Sequence, residues 1–121
     1  MKVYTSYYAK VNKLPAGVVP ISISSKAPFF YKGLEYKKIA PKYWFLMKYK
    51  EDHDEAFYTE QYYKEVLSQL DPVQVLFDLQ VLSEGKDVAL LCYERPADFC
   101  HKHLVANWLT QAGIVCEEII C

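Results

Sequence analysis

Residues capable of chemistry are concentrated between Cys92 and Lys102 of the 121-residue chain. A thiol there can act as a nucleophile, and a carboxylate with an imidazole is a common proton-transfer pair. We therefore predict that the catalytic residues are Cys92, Glu94 and His101. Their neighbours are predicted to bind the ligand, namely Arg95, Cys100 and Lys102.

Zinc is an alternative occupant of this segment, with Cys92, Cys100 and His101 as ligands and His103 or Glu94 as a further one. The spacing does not match a C-x₂-C or H-x₃-H zinc motif. Consecutive residues on a helix also point about 100° apart, which would separate Cys100 from His101. The sequence therefore predicts no metal ligands and leaves the cofactor undetermined, with zinc still open.

Each of these residues also has an ordinary structural interpretation. His101 precedes Leu104 and Val105 at helical spacing, so it can be a core histidine. Cys92 ends an apolar run and can be a small buried side chain, while Glu94 can belong to an exposed turn. Their placement together, where a strand passes into a helix, favours a site.

Four strands and three helices are predicted to position this segment. The strands are β-branched, aromatic or continuously apolar, at residues 2–8, 18–24, 88–92 and 114–120. The helices are predicted to begin at Thr59, at Asp71-Pro72 and at Pro96, and the last ends at residue 112. This order predicts one α/β domain, residues 1–121, with a mainly parallel four-stranded sheet flanked by helices.

Helical periodicity also predicts which side chains face the core. In the helix after Asp71, the expected stripe is Val73, Leu76, Phe77 and Gln80 or Val81. In the helix 96–112, it is Leu104, Val105, Trp108, Leu109 and Ala112.

Residues 25–53 show no sustained periodicity. They include Pro28, Gly33 and Pro41, which interrupt regular structure. We predict a long ordered loop between the second strand and the first helix, with at most one short helix. Loops of this length in compact domains are usually functional.

Ligands of open parallel sheets bind outside the carboxyl ends of the strands. The first two predicted strands end in polar residues at that edge, and these are further candidate ligand-binding residues: Tyr4, Thr5, Ser6, Ser24 and Ser25. The helix 96–112 begins at the same edge, where its free N–H groups favour an anion.

A second candidate surface is the segment Lys26–Lys50, which interleaves seven lysines with eight aromatic residues. Lysines can contact phosphates while aromatic rings stack on bases, so this composition suits a nucleotide or a single-stranded nucleic acid. The predicted phosphate or base contacts are Lys26, Tyr31, Lys32, Lys37 and Trp44. The alternative is that Phe29, Phe30, Trp44 and Phe45 pack into the core and leave the lysines in solvent.

Composition indicates a folded protein of the cell interior. The first residues lack the apolar core of a signal peptide, and no run approaches the ~18 apolar residues of a membrane span. The four cysteines, 92, 100, 116 and 121, all lie in the last quarter of the chain, which argues against a secreted disulfide framework. We therefore expect a cytoplasmic protein with reduced thiols and no membrane partner.

Charge is distributed unevenly along the chain. Residues 1–50 contain ten lysines and one acid, whereas residues 51–121 contain four basic residues and fourteen acids. One interpretation is head-to-tail association of basic and acidic halves. The sequence leaves the oligomeric state open.

The chain resembles the bacterial and phage family called domain of unknown function 488. That family has a Leu-Leu-Cys-x-Glu strand end and a Cys-His-Arg helix start, which match here at Leu90, Leu91, Cys92, Glu94, Cys100 and His101. Lys102 replaces the usual arginine, which keeps the charge but loses bidentate anion recognition. The opening Tyr4-Thr5-Ser6-Tyr7 also looks like the first strand of the family. The resemblance implies an α/β fold with a motif-bearing pocket.

Two functions follow from these observations as hypotheses. The first is an enzyme, or a degenerate one, that acts on a nucleotide or nucleic-acid component with the Cys/Glu/Cys-His pocket. The second is a non-catalytic module that binds a nucleotide or a single strand through Lys26–Lys50.

Overall fold

The computed structural model describes residues 1–119, which contain both strands and helices. The strands are β1 (Val3–Tyr7), β2 (Val19–Ser22), β3 (Leu34–Glu35), β4 (Val88–Cys92) and β5 (Cys116–Glu118). The α-helices are α1 (Tyr43–Asp52), α2 (Glu55–Glu65), α3 (Pro72–Ser83) and α4 (His101–Gln111). Short 3₁₀ segments lie at Tyr8–Lys13, Lys37–Ile39 and Leu67–Gln69.

The strands form one parallel sheet in the order β3-β2-β4-β1-β5. All five residues of β4 are buried, as its continuous apolar run predicted. The predicted α/β class and parallel sheet are confirmed, but the sheet has five strands instead of four. The missed strand, β3, has two exposed residues and therefore no apolar pattern to reveal it.

Alternation along β4 divides the core into two parts. Val88 and Leu90 pack in the larger cluster, to which all four helices contribute side chains. Ala89 and Leu91 face a smaller cluster that includes Tyr8. The 3₁₀ segment Tyr8–Lys13 and neighbouring loops cover this cluster. Cys92 continues the side of Leu90, so its side chain faces the helical layer.

Side-chain caps start two of the helices. Asp54 accepts a hydrogen bond from the Phe57 amide at the start of α2, so the predicted start at Thr59 is wrong by about one turn. Asp71 accepts from the Val73 amide at the start of α3, with Pro72 in the first turn as predicted. Both carboxylates satisfy amides that the helix itself leaves without partners.

The predicted buried stripe of α3 is wrong in phase. Val73, Phe77 and Val81 are exposed, whereas Val75 and Leu79 are completely buried. The helix is apolar almost all round, so more than one stripe fits its sequence. Packing against the sheet selects the face that enters the core.

The region predicted as a long loop contains the ten-residue helix α1. Its start, Tyr43-Trp44-Phe45-Leu46-Met47, is apolar at every position and therefore hides the helical period. Lys42 occupies the N-cap position, and its side chain makes no capping hydrogen bond. Only Phe45 of this helix is fully buried, so α1 packs against the core through a narrow part of its surface.

The last helix begins later than predicted, at His101 instead of Pro96. Cys100 has extended backbone angles, φ −159° and ψ 150°, and residues 93–100 form the connection from β4. The final strand spans three of the predicted residues, and Ile120 and Cys121 lie outside the described residues. In the described part of the chain, the helices are all too short or too polar to cross a membrane.

Candidate functional site

A cavity of about 650 Å³ opens at the carboxyl edge of the sheet. It lies where parallel pairing aligns the ends of β1, β2 and β4, with Tyr7 opposite Cys92 and Ser22 opposite Leu91. Its walls come from the chain after β2, from α1 and α2, and from the β4–α4 connection. This is the edge at which parallel sheets bind ligands.

Seven of the predicted site residues line this cavity. They are Ser24, Ser25, Lys26, Cys92, Glu94, Cys100 and His101. Ser24 is also held by the Tyr8 hydroxyl, which lies 2.9 Å from its oxygen. The structure therefore brings together the strand end and the helix start that the sequence singled out.

Five residues that were predicted to bind the ligand at this edge do not line the cavity. Tyr4 packs in the smaller core cluster, and Arg95 is an exposed partner of Asp98 at 3.2 Å. Thr5 is buried and donates its hydroxyl to Glu118 at 2.6 Å. Ser6 is also buried, and within residues 1–119 its Oγ has no hydrogen-bond partner.

Lys102, the fifth of these residues, is completely buried. It lies on the side of the β4–α4 junction that faces away from the cavity. Its ammonium donates to the carbonyl oxygens of Ser6 at 3.1 Å and Glu94 at 2.8 Å. It also forms an ion pair with Glu118 at 3.1 Å. Burial lowers the pKa of Lys102, and the Glu118 carboxylate opposes that effect. These partners tie β1 and β5 to the chain after β4.

The ring of His101 is held in one orientation and one tautomer. Its Nε2 lies 2.8 Å from the carbonyl oxygen of Ile23. A carbonyl only accepts, so Nε2 carries the proton and Nδ1 has a free lone pair. Nδ1 lies 3.6 Å from the Cys100 sulfur, and the edge of Tyr62 packs at 5.7 Å between ring centroids. Burial lowers the pKa of His101 to about 4, which keeps the ring neutral.

The two cysteines of the segment meet beside this histidine. Cys92 comes from the end of β4 and Cys100 from the residue before α4, and their sulfurs are paired as a disulfide with Cα atoms 7.5 Å apart. Both are buried, at 1% and 5% exposure. The expectation of reduced thiols does not describe this pair. Among the described cysteines, Cys116 is free.

Extended backbone at Cys100 explains why these groups converge. The sequence argument placed Cys100 on a helix, where it would point about 100° away from His101. Because Cys100 precedes the helix, its side chain turns toward Cys92 instead. The sulfurs of both cysteines and a nitrogen of His101 lie within 4.8 Å of one another, a group that does not include His103 or Glu94.

Most of the remaining wall is aromatic or aliphatic, and sequence reasoning missed it. These residues are Pro41, Tyr43, Leu46, Met47, Tyr49, Lys50, Tyr58, Tyr93 and Phe99. The rings of Tyr49 and Tyr58 lie 5.2 and 5.3 Å from that of Phe99. Residues 43, 46, 47 and 50 recur at helical spacing, which could have identified one face of α1.

Tyrosines of the wall are kept protonated. Burial first, and the Glu94 carboxylate second, raise the pKa of Tyr58. Burial likewise raises the pKa of Tyr49, with carboxylates of Glu55 and Glu94 adding to it. Their hydroxyls are therefore available as hydrogen-bond donors at neutral pH.

Residues 20–113 match the family model described as the active DUF488-N3 subclade. This span is most of the chain and contains both halves of the cavity motif. The chain belongs to the DUF488 family. No curated protein and no solved structure matches it.

In this DUF488 chain, part of Lys26–Lys50 forms a second, shallower hollow of about 300 Å³. It is lined by Lys26, Tyr31, Lys32 and Lys37, together with Ala27, Pro28, Phe29, Gly33 and Glu35. Trp44 lies outside both hollows and donates its indole N–H to Glu65 at 3.1 Å. Phe45 is buried, whereas Phe29 is 89% and Phe30 52% exposed.

The two charged halves of the chain meet within one molecule of this DUF488 protein. Lys38 pairs with Asp78 at 3.6 Å, and Lys42 pairs with Glu65 at 3.9 Å. Both links join the basic half to the acidic half. The uneven charge along the sequence is therefore partly neutralised by the fold itself.

Proposed function

We propose that the cavity binds a nucleotide or a nucleobase-containing component of nucleic acid and acts on it at the Cys92, Glu94 and His101 end. The observation that supports this most is the composition of the wall. Tyr49 and Phe99 offer rings for a planar base, while Lys26 and Lys50 offer cations for an anionic group. A volume of about 650 Å³ accommodates a ligand of that size.

Charged groups line the same cavity as the reactive ones. Lys26 and Lys50, instead of the buried Lys102, are the cations that border it. The start of α4 adds amides that favour an anion at the same edge. A phosphate at that edge would leave the base against the aromatic wall.

The chemistry of the cavity rests on an imidazole beside two thiols. In the reduced chain, Nδ1 of His101 can accept a hydrogen bond from the Cys100 thiol. Glu94 lines the cavity and can exchange protons with a bound ligand. The matching model describes an active subclade, which supports a working site in this chain.

Calorimetric titration with bases, nucleosides and nucleoside mono-, di- and triphosphates tests the proposal. We expect saturable binding that Tyr49→Ala weakens about tenfold or more, as for loss of a stacked base. Lys50→Met should weaken phosphorylated ligands only. Lys64→Met, on the exposed side of α2, is the matched control and should leave affinity unchanged. Absence of binding to every compound by the folded protein would refute the proposal.

A second candidate function is binding of single-stranded nucleic acid through Lys26–Lys50. The exposure of Phe29 and Phe30 beside lysines supports it, because bases stack on exposed rings. Fluorescence anisotropy with labelled oligonucleotides should show affinity that falls steeply with salt. Phe29→Ala with Phe30→Ala should weaken it, whereas Phe77→Ala, another exposed phenylalanine, should not. Equal effects of the two changes would refute this function.

A further inference from the structure

The side chains at the end of the cavity form a compact donor set. We call Sγ of Cys92, Sγ of Cys100 and Nδ1 of His101 the Cys₂His cluster. Atoms of these three side chains lie within 4.8 Å of one another, and each residue is at most 6% exposed. Two soft sulfurs and one imidazole nitrogen are a donor set that suits zinc.

We infer that the reduced protein binds one zinc ion through the Cys₂His cluster, with the fourth coordination position open to the cavity. Binding releases the two thiol protons to solvent and changes no oxidation state. The disulfide is the oxidised form of the same pair, and a reductant that supplies two electrons must cleave it to two thiols before zinc binds. The inference does not depend on the ligand of the cavity being a nucleotide.

The orientation of His101 supports this inference. Metal-binding histidines usually donate their other ring N–H to a carboxylate or a backbone carbonyl, which fixes the tautomer. Here Nε2 donates to Ile23 at 2.8 Å and leaves Nδ1 facing the sulfurs. Edge packing by Tyr62 holds the ring in that position. The contact to Ile23 therefore supplies the outer partner that a zinc ligand needs.

The backbone separation of the cysteines supports the same conclusion. Their Cα atoms are 7.5 Å apart. Disulfides span roughly 4.4–6.8 Å between Cα atoms. Two thiolates on one zinc ion, each about 2.3 Å from the metal, lie about 3.8 Å apart and therefore suit a wider backbone separation. Reduction allows the sulfurs to move apart to that distance.

An open fourth position follows from where the cluster lies. Cys92, Cys100 and His101 all border the cavity. Structural zinc sites are closed by four protein ligands, whereas catalytic ones keep three and leave a position for water or substrate. Here the cluster has three members among the described residues. The metal would present that position to whatever occupies the cavity.

Cobalt(II) titration of the reduced protein tests the inference directly. Protein is refolded under a phosphine reductant, all four cysteines are verified by mass to be reduced thiols, and Co²⁺ is added. We expect one equivalent to bind with thiolate-to-cobalt absorption, and Zn²⁺ to displace it. Cys100→Ser and His101→Gln should each weaken zinc binding by more than the ~100-fold that outer-sphere changes cause. Cys116→Ser, which removes a thiol outside the cluster, should change nothing.

Circular dichroism on every variant separates loss of a ligand from loss of the fold. A folded, reduced wild-type protein without thiolate-to-cobalt absorption would overturn the inference, as would Cys100→Ser binding as tightly as wild type. Azide should alter the visible cobalt bands through the open position, and unchanged bands would overturn that part. Nucleotide titration reads a different quantity, so failure of one proposal is distinguishable from failure of the other.

Discussion

The β4–α4 junction has two sides that are made from consecutive residues and organised in opposite ways. On one side, His101 faces a cavity with the sulfurs of Cys92 and Cys100. On the other, Lys102 is enclosed and its ammonium has three oxygen partners. A step of one residue at the start of a helix turns a side chain by about 100°. The same short motif therefore supplies both a site and a structural anchor.

What distinguishes the two sides is whether polar groups already have partners. Around Lys102, the Glu118 carboxylate also accepts from Thr5. A buried polar group whose partners are in place stabilises the fold. Removing one partner destabilises the fold, because the other group stays buried without a hydrogen bond or counter-charge. Around His101, Nδ1 has a lone pair and lines open space with Glu94. Groups of that kind are available to a ligand.

The largest predicted effect on stability comes from a substitution on the enclosed side. Lys102→Met should lower the free energy of unfolding by about 3 kcal/mol, because it leaves the mostly buried Glu118 carboxylate without its cation. Urea denaturation followed by circular dichroism measures this. Lys64→Met, at an exposed position, should change it by less than about 0.5 kcal/mol. Equal values for the two variants would show that Lys102 is not an anchor.

One substitution made on both sides sharpens the comparison. Glu118→Gln should cost about 1–2 kcal/mol, because Glu118 accepts from Thr5 at 2.6 Å and from Lys102 at 3.1 Å. Glu94→Gln, on the exposed cavity side, should cost less than about 0.5 kcal/mol. The unfolding free energies of the two variants provide the test. A larger cost at Glu94 would reverse the assignment of the two sides.

Thiol reactivity compares the free cysteine, Cys116, with the cysteines of the cavity side. Burial, with the carboxylates of Glu118 and Glu117, raises the pKa of Cys116 to about 12. Its thiolate is then scarce at pH 8, and alkylation should be about a thousandfold slower than for an exposed thiol. In reduced, metal-free protein, Cys100 beside the cavity should react first. Iodoacetamide labelling with peptide mapping measures both rates.

The pH profile provides the control for that prediction. Labelling of Cys116 should rise about tenfold per pH unit up to pH 10, because the thiolate fraction does so below the pKa. A plateau below pH 9.5 would contradict the raised pKa. Labelling in urea should remove the difference between the cysteines.

The sequence by itself determined the elements with local causes. The apolar run of β4 and the Asp71-Pro72 start of α3 required only their own residues. Spacing also placed Cys92, Glu94 and His101 at one strand-to-helix junction, and the motif there indicated the DUF488 family. Each of these inferences depends on side-chain chemistry within a few residues.

Tertiary structure decided which faces and which directions those elements take. The first five residues of α1 are all apolar and α3 has apolar residues on several faces, so packing chose the cavity face of Tyr43 and the buried face of Val75. Extended backbone at Cys100 turned its sulfur to Cys92, and the start of α4 sent Lys102 away from the cavity. Such choices depend on contacts between residues far apart in the chain, because one local sequence is compatible with several orientations until the sheet selects one.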